Sequence, residues 1–282
     1  MLFSQLKPKE AGKRDWLVSP KDELLRFPFA ALRTGISATH NPFYLAELHS
    51  VQIVSGPLVP AAPAHPALES RFLTVGDPIY NIADPRWRGS RSFSTSTYET
   101  QLNRLPGSGQ EVDVSATVWR DPVVLKGAST TKDQFLKELG SQPNVIHLAT
   151  HAFTAGRTGE MFLAFGVGGN GEPELMGAAD VAMPRVPGEL VAMTGCETAG
   201  GDMRSGVELE NLARAWTLAG VAAVLATLWP MEDSDGEFLA KFFLHLHDDG
   251  PAEALKKAHA ALIHSRTPAS VWASYQVYSG QT

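Results

Sequence analysis

The stretch NVIHLATHAF, residues 144–153, decides the fold, because its apolar run predicts a strand buried on both faces that leads into His151. The stretch ELVAMTGC, residues 189–196, has the same arrangement and leads into Cys196. In an open parallel sheet, ligands bind beyond the carboxyl ends of the strands. If the two strands are neighbours, the side chains of His151 and Cys196 lie within hydrogen-bond reach of each other at that edge.

Further apolar runs alternate with segments of helical period, which indicates an α/β domain with a mostly parallel sheet. In the segment 131–139, Thr131 and Gln134 form a capping-box pattern, and Leu136 is among the side chains predicted to face the core. Strands are predicted at residues 15–19, 51–55, 71–77, 123–126, 144–150, 189–194, 221–228 and 274–279, and helices at 106–118, 131–139, 209–219, 238–246 and 255–263.

The composition excludes several classes of protein. With 24 Lys and Arg against 30 Asp and Glu, the net charge is −6, so the chain lacks the excess of positive charge that binds the phosphates of nucleic acid. The content of 44% hydrophobic and 19% charged residues is that of an ordinary globular protein. The longest apolar stretch, residues 219–231, is broken by Pro230 and is shorter than the roughly 20 residues of a membrane span. No secretory signal is visible at the N-terminus, so we expect a cytoplasmic protein without membrane contact.

The single cysteine excludes an internal disulfide and a multi-thiolate zinc site. A free thiol has a pKa of about 8.5 and is a weak nucleophile at neutral pH, and a neighbouring imidazole activates it. The backbone amides of Ala152 and Cys196 are predicted to stabilise an oxyanion. On spacing alone, a cysteine after a strand is more often a small buried residue, so a purely structural role for Cys196 stays open.

A series of sequence blocks, in order along nearly the whole chain, resembles the CHAT family. The blocks are WLVSPKDELLRFPFAAL (16–32), FYLAELHSV (43–51), VGDP (75–78), LPGSGQEV (105–112), VIHLATHAF (145–153), TGCETAGG (194–201), GVELENLARAWTLAGVAAVLATLWPMED (206–233) and PASVWASYQVYSG (268–280). CHAT domains are caspase-like cysteine peptidases related to separase.

The resemblance implies a caspase-hemoglobinase-like fold, a three-layer α/β/α sandwich with a mostly parallel sheet. It implies His151 as base and Cys196 as nucleophile, with no metal or organic cofactor. Residues 1–70 resemble the N-terminal, degenerate caspase-like part of the family, and residues 71–282 resemble the catalytic part. Related sequences often have Ala before the nucleophile and Gly after the histidine, where this chain has Gly195 and Ala152, and both differences keep the backbone amide.

The implied function is a regulated cysteine endopeptidase that cuts specific proteins in a bacterial signalling or defence pathway. Its implied partners are a protein substrate and a regulatory or sensor protein on another chain. By resemblance to separase, Asp233 is a hypothesis for the S1 pocket, where a carboxylate would select a basic residue before the scissile bond. Asp233 fits an acidic first turn of the following helix equally well. The alternatives are a catalytically silent CHAT module that binds peptides or partner proteins and, less favoured, a transpeptidase or amidase.

Other features have structural interpretations. Asp77, followed by Pro78, is interpreted as a turn residue that ends a strand, in preference to an S1 residue. His147 is interpreted as a packed or hydrogen-bonded strand residue in preference to a zinc ligand, and the GVGGNG stretch at 166–171 as a hairpin turn. Residues 85–100 are predicted to form a mobile, solvated surface loop in preference to a segment nicked in trans at its arginines, which are Arg86, Arg88 and Arg91.

Overall fold

The computed structural model describes residues 3, 5–36, 42–54, 69–89, 102–155, 160–169, 171–194, 206–229 and 236–279. The strands are β1 Asp15–Val18, β2 Arg33–Ile36, β3 Pro42–Tyr44, β4 Ser50–Ile53, β5 Phe72–Pro78, β6 Val123–Gly127, β7 Val145–Ala149, β8 Ala152–Ala155, β9 Glu160–Val167, β10 Pro173–Gly177, β11 Leu190–Met193, β12 Ala223–Thr227 and β13 Tyr275–Ser279. The helices are α1 Pro8–Ala11, α2 Leu45–Leu48, α3 Pro106–Ala116, α4 Lys132–Leu139, α5 Ala178–Ala182, α6 Gly206–Ala219, α7 Gly236–Leu246, α8 Pro251–His264 and α9 Ala269–Trp272. In the part of the chain described here, no helix combines the length and apolarity of a bilayer span.

The centre of the molecule is an eight-stranded sheet in the order β1-β4-β13-β12-β11-β7-β5-β6. Neighbouring strands pair in parallel except β12 and β13, which are antiparallel. A smaller antiparallel sheet has the order β10-β9-β8, and β2 pairs with β3 as a separate ribbon. The mostly parallel sheet expected from the apolar runs is therefore confirmed.

The large sheet is buried on both faces, because alternate residues along each central strand point into different cores. Leu73, Ile146 and Val191 pack in one core with apolar side chains of α4 and α6. Phe72 and Leu190, on the opposite face of the same strands, pack in another core with side chains of α7 and α8. Helices therefore cover both faces, and the three-layer α/β/α arrangement is confirmed.

The order of the parallel strands changes direction beside β5. The chain passes from β5 through α3 to the edge strand β6, and then through α4 to β7 on the other side of β5. Strands β11 and β12 then extend the sheet away from β5. The carboxyl ends of β5 and β7 therefore form a switch point, where open α/β sheets bind their ligands.

The N-terminal strands belong to the same sheet. Strand β4 pairs in parallel with β13, and β1 pairs with β4 at the edge. The boundary expected near residue 70 falls between β4 and β5, next to residues 55–68, which lie outside the described residues. The division into parts 1–70 and 71–282 stays a prediction.

Helix α4 begins as its sequence predicts but packs differently. The side-chain oxygen of Thr131 accepts a hydrogen bond from the amide of Gln134, at 3.2 Å, while the side chain of Gln134 donates to Glu138. Phe135 is fully buried, but Leu136 is 38% exposed. The inward orientation predicted for Leu136 is wrong, because a helical step of 100° turns it away from the face that Phe135 buries.

The glycine-rich stretch at 166–171 lies where β9 turns back into β10. The two strands are antiparallel, and the amide of Gly168 donates to the carbonyl of Glu172 at 2.9 Å. The predicted hairpin turn is confirmed.

Helix α3 lies very close to β5 at Gly76. A Cβ atom on Gly76 would lie 2.6 Å from the carbonyl oxygen of Ser108 and 2.7 Å from a methyl carbon of Val112. These distances are shorter than van der Waals contact, so the absence of a side chain at residue 76 allows the helix to pack on the strand.

We expect Gly76→Ala to lower the free energy of unfolding by roughly 1–3 kcal/mol, because the added methyl group overpacks the contact between α3 and β5. Urea unfolding measures the change. The matched control is Gly169→Ala, since a Cβ atom there would contact nothing within 4 Å. Equal stability of the two variants would contradict this account of the contact.

His259 is a buried histidine of α8 that packs against two aromatic rings. Its ring centroid lies 5.8 Å from that of Phe238 and 5.4 Å from that of Trp272. Burial lowers the pKa of His259 from 6.5 to about 3. The unfolded chain therefore binds a proton at this residue between those two pH values, and the folded chain does not.

Because the folded pKa of His259 is depressed, its contribution to stability is complete above pH 6.5 and is lost as the pH falls toward about 3. From pH 7.5 to 5.5, the wild type should lose about 1.4 kcal/mol more stability than His259→Gln. Urea unfolding at both pH values gives the two differences. The same loss in wild type and variant would show that His259 does not titrate as proposed.

Candidate active site

The sequence-predicted pair His151 and Cys196 follows two strands that are neighbours in the sheet. Strand β7 pairs in parallel with β11, and Leu148 is the register partner of Met193. His151 comes three residues after Leu148, and Cys196 comes three residues after Met193. Cys196 itself lies outside the described residues, so the structure confirms that the strands are neighbours and leaves the position of the thiol as a prediction.

The backbone of His151 is held on both sides. Its amide donates to the hydroxyl of Tyr80 at 3.1 Å, and its carbonyl accepts from the amide of Ala164 at 2.8 Å. The rings of Tyr80 and His151 lie 4.8 Å apart between centroids. His151 is only 1% exposed, so the imidazole has little freedom to move.

The imidazole of His151 contacts a backbone carbonyl. Its Nε2 atom lies 2.8 Å from the carbonyl oxygen of Asn103. Since a carbonyl only accepts hydrogen bonds, Nε2 is the donor, and the neutral ring then carries its lone pair on Nδ1. Sequence reasoning missed this contact, because every residue has a backbone carbonyl and the residue type does not indicate which one binds a histidine.

Asp77 lies at the end of β5, next to the end of β7, and is 6% exposed. Its φ of 47° lies in the left-handed region, which aspartate adopts more readily than most side chains. Arg104 forms a two-point contact with it, Nε to Oδ1 at 2.9 Å and Nη2 to Oδ2 at 2.7 Å. Arg86 donates to Oδ2 from the other side at 2.7 Å. Both carboxylate oxygens of Asp77 are therefore engaged by guanidinium groups of the same chain.

The beginning of the loop 85–100 is anchored to Asp77 and Asp84 by Arg86. Arg86 donates through Nε and Nη2 to Asp84, and this contact lowers the pKa of the Asp84 carboxyl and raises the pKa of Arg86. Arg86 differs from the loop predicted at 85–100, because Asp77 and Asp84 hold its guanidinium at the sheet edge and its side chain is only 28% exposed. Arg88 is exposed as predicted, and Arg91 lies outside the described residues.

His147 is the centre of a buried polar network. Its Nε2 lies 2.8 Å from Glu111 and 3.1 Å from the hydroxyl of Thr194, and its Nδ1 lies 3.1 Å from the hydroxyls of Thr74 and Ser115. Thr194 also donates to Glu111. The interpretation of His147 as a hydrogen-bonded strand residue is confirmed. The network joins α3, β5 and β7 to the end of β11, two residues before Cys196 in the sequence.

The structure leaves the roles of the remaining sequence-predicted site residues as predictions. Ala152 begins β8 and is buried, and its role as an oxyanion donor stays a prediction. Gly195 and Asp233 lie outside the described residues. Among the residues that the structure describes, no group of three His, Cys, Asp or Glu side chains is placed to hold a metal ion.

Several solved structures resemble this fold. Residues of the Arg-specific cysteine proteinase gingipain R, RgpB of Porphyromonas gingivalis, superpose with a TM-score of 0.51 at 8% identity, over 99% of this chain and 65% of that one. At this identity the likeness shows the fold alone.

Two further structures are more distant. Saccharomyces cerevisiae separase, in its complex with securin, has a TM-score of 0.45 at 13% identity, over 84% of this chain and 14% of that one. The Drosophila initiator caspase Dronc has a TM-score of 0.39 at 12% identity, over 74% of this chain and 78% of that one. The sequence matches no curated protein. The CHAT domain family model matches residues 1–281, and the chain therefore belongs to the CHAT domain family, with a caspase-like α/β fold.

Proposed function

We propose that this chain is a cysteine endopeptidase in which His151 and Cys196 form the catalytic dyad. The observation that carries the proposal is the register of β7 and β11, in which Leu148 lies opposite Met193 and a candidate catalytic residue follows each of them three positions later in the sequence. The contact between His151 and the Asn103 carbonyl supports it, because a lone pair on Nδ1 is what a general base requires.

In the proposed reaction, Nδ1 of His151 takes the proton of the Cys196 thiol, and the thiolate sulfur bonds to the carbonyl carbon of the scissile peptide. When the tetrahedral intermediate collapses, the carbon–nitrogen bond breaks and the imidazolium gives its proton to the leaving amine. Water then attacks the thioester, His151 accepts a proton from that water, and the thiolate leaves and is reprotonated. The products are a carboxylic acid and an amine, and the enzyme returns to its starting state.

The backbone amides of Ala152 and Cys196 are the proposed donors to the oxyanion of the tetrahedral intermediate. A donor of this kind typically contributes about 10²- to 10³-fold to the rate. Substitution of either side chain leaves the amide in place, so the proposed oxyanion site does not depend on the identity of the side chain.

A peptidyl electrophile with Arg at P1 should form one covalent adduct with the native chain, detectable by intact mass. Because Cys196 is the only cysteine, the adduct has one candidate thiol. We expect Cys196→Ala to abolish the adduct and His151→Gln to slow its formation by about 100-fold or more, since the general base is lost.

Circular dichroism should show that both variants stay folded, and labelling of urea-unfolded protein with iodoacetamide checks that the thiol is intact. A folded, intact chain that forms no adduct with the peptidyl probe would contradict a constitutively competent peptidase. Equal labelling of wild type and His151→Gln would remove His151 from the reaction.

Selection for a basic residue by Asp233 is a further part of the proposal. We expect Asp233→Asn to reduce the preference for an Arg probe over an Ala probe by roughly tenfold or more, because a hydrogen bond to a charged group contributes about 1.5–3 kcal/mol. The ratio of the two labelling rates measures the preference.

The matched control for this substitution is Glu232→Gln, which removes the neighbouring carboxylate. If the Asp233 variant keeps the wild-type ratio, or if both variants lose it equally, Asp233 does not form the S1 pocket.

The biological setting belongs to the same proposal. The family resemblance supports cleavage of specific proteins in a bacterial signalling or defence pathway, with a regulatory partner on another chain. The partner and the substrate are to be identified by their effect on the labelling rate of Cys196.

A further inference from the structure

Residues 102–105 form the strip of chain that contacts His151, and they are anchored at both ends. Leu102 and Leu105 are 5% and 9% exposed and pack in a small cluster with Tyr80 and Phe153. The two residues between them face away from this cluster and are exposed. The two leucines therefore attach the strip to the protein. The orientation of the peptide between Asn103 and Arg104 is set by polar contacts.

The first of these polar contacts is the pair of Arg104 and Asp77. Two parallel hydrogen bonds of 2.7–2.9 Å join the guanidinium to the carboxylate. A two-point contact between an arginine and a carboxylate fixes direction as well as distance, which a single ion pair does not. Asp77 is in turn fixed, because its other neighbour Arg86 is held by Asp84.

The second contact passes through Ser108. Its hydroxyl accepts from the amide of Asp77 at 2.8 Å and donates to the carbonyl of Leu105 at 2.8 Å. Asp77 therefore holds two successive residues of the strip. Its carboxylate binds Arg104 directly, and its backbone amide is linked to the Leu105 carbonyl through the hydroxyl of Ser108. The peptide that precedes Arg104 is the one whose carbonyl lies 2.8 Å from Nε2 of His151.

We propose that Arg104 and Asp77 are positioning residues that hold the Asn103 carbonyl on His151 and thereby set the tautomer of its imidazole. The proposal rests on the function proposed above, in which Nδ1 acts as the base. In this proposal the roles of Arg104 and Asp77 are indirect. They act through the Asn103 carbonyl, which keeps the proton on Nε2 and the ring in one orientation. Without the two-point contact the carbonyl moves, and both tautomers of the neutral ring become populated.

The test compares Arg104→Gln with the wild type in two measurements. Labelling of Cys196 by the Arg peptidyl electrophile, followed over probe concentration, should show a maximal rate lowered by roughly 10- to 100-fold and a half-saturating concentration changed less than about twofold. The ¹⁵N spectrum of histidine-labelled protein, with His151→Gln to assign the signal, should show protonated Nε2 in the wild type and a mixture of tautomers in the variant.

Two further variants sharpen the comparison. Asp77→Asn keeps the size of the side chain and should reproduce both effects of Arg104→Gln. Arg120→Gln removes an exposed arginine whose ion-pair partner is the exposed Glu69, and it should leave both measurements unchanged. Thermal unfolding should show that Arg104→Gln remains folded, since the Arg104 side chain is 49% exposed.

The outcomes separate this proposal from the proposed function. A labelling rate and tautomer in Arg104→Gln equal to those of a reactive wild type would overturn the positioning role and leave the dyad standing. Faster labelling in the variant would also overturn it, because the strip would then obstruct the site. A shift of tautomer in a chain that never labels would support the contact and contradict a dyad that is competent without a partner.

Discussion

The pairing of β7 with β5 on one side and β11 on the other is the constraint on which the candidate site depends. Gly76 lies opposite Ala149 and Met193 lies opposite Leu148, so the carboxyl ends of the three strands lie at the same edge of the sheet. Both faces of β7 are covered, and a slip of one residue would turn every side chain to the opposite core. The location of His151 is therefore a consequence of apolar packing along the strand before it.

The buried network around His147 reinforces that register. The imidazole is fully buried, and its two nitrogens have partners on β5, on α3 and at Thr194, which directly follows β11. In a low-dielectric interior such groups are costly to leave without hydrogen bonds. A different register would separate Thr74 and Thr194 from the ring, so hydrogen bonding and apolar packing select the same alignment of the three strands.

The strands of the parallel sheet could be predicted from the sequence because each is apolar on both faces, as in the runs at 145–149 and 190–193. The end of the run at 145–149 then predicted that His151 lies at the carboxyl edge of the sheet. The strip that contacts it could not be predicted, because Arg104 meets Asp77 across 27 residues and Asn103 contributes only a backbone oxygen. The antiparallel strands β8 to β10 were not predicted: β8 and β10 are short, and the apolar run of β9 at 161–167 was not assigned to a strand. Cys196 and Asp233 were identified by position and resemblance, which do not give the location of their side chains.

The place of the N-terminal strands β1 and β4 in the large sheet depends on β13, which lies far from them in the sequence. It runs antiparallel to β12 and parallel to β4, so it is the link through which β4 and β1 join the other strands. During synthesis, β1 and β4 emerge first but have no place in the large sheet until residues 275–279 have left the ribosome. Closing a contact between such distant segments is slow, because a long loop must be ordered before the pairing stabilises it. Until then, the nascent chain exposes the edge of β12 that β13 later covers.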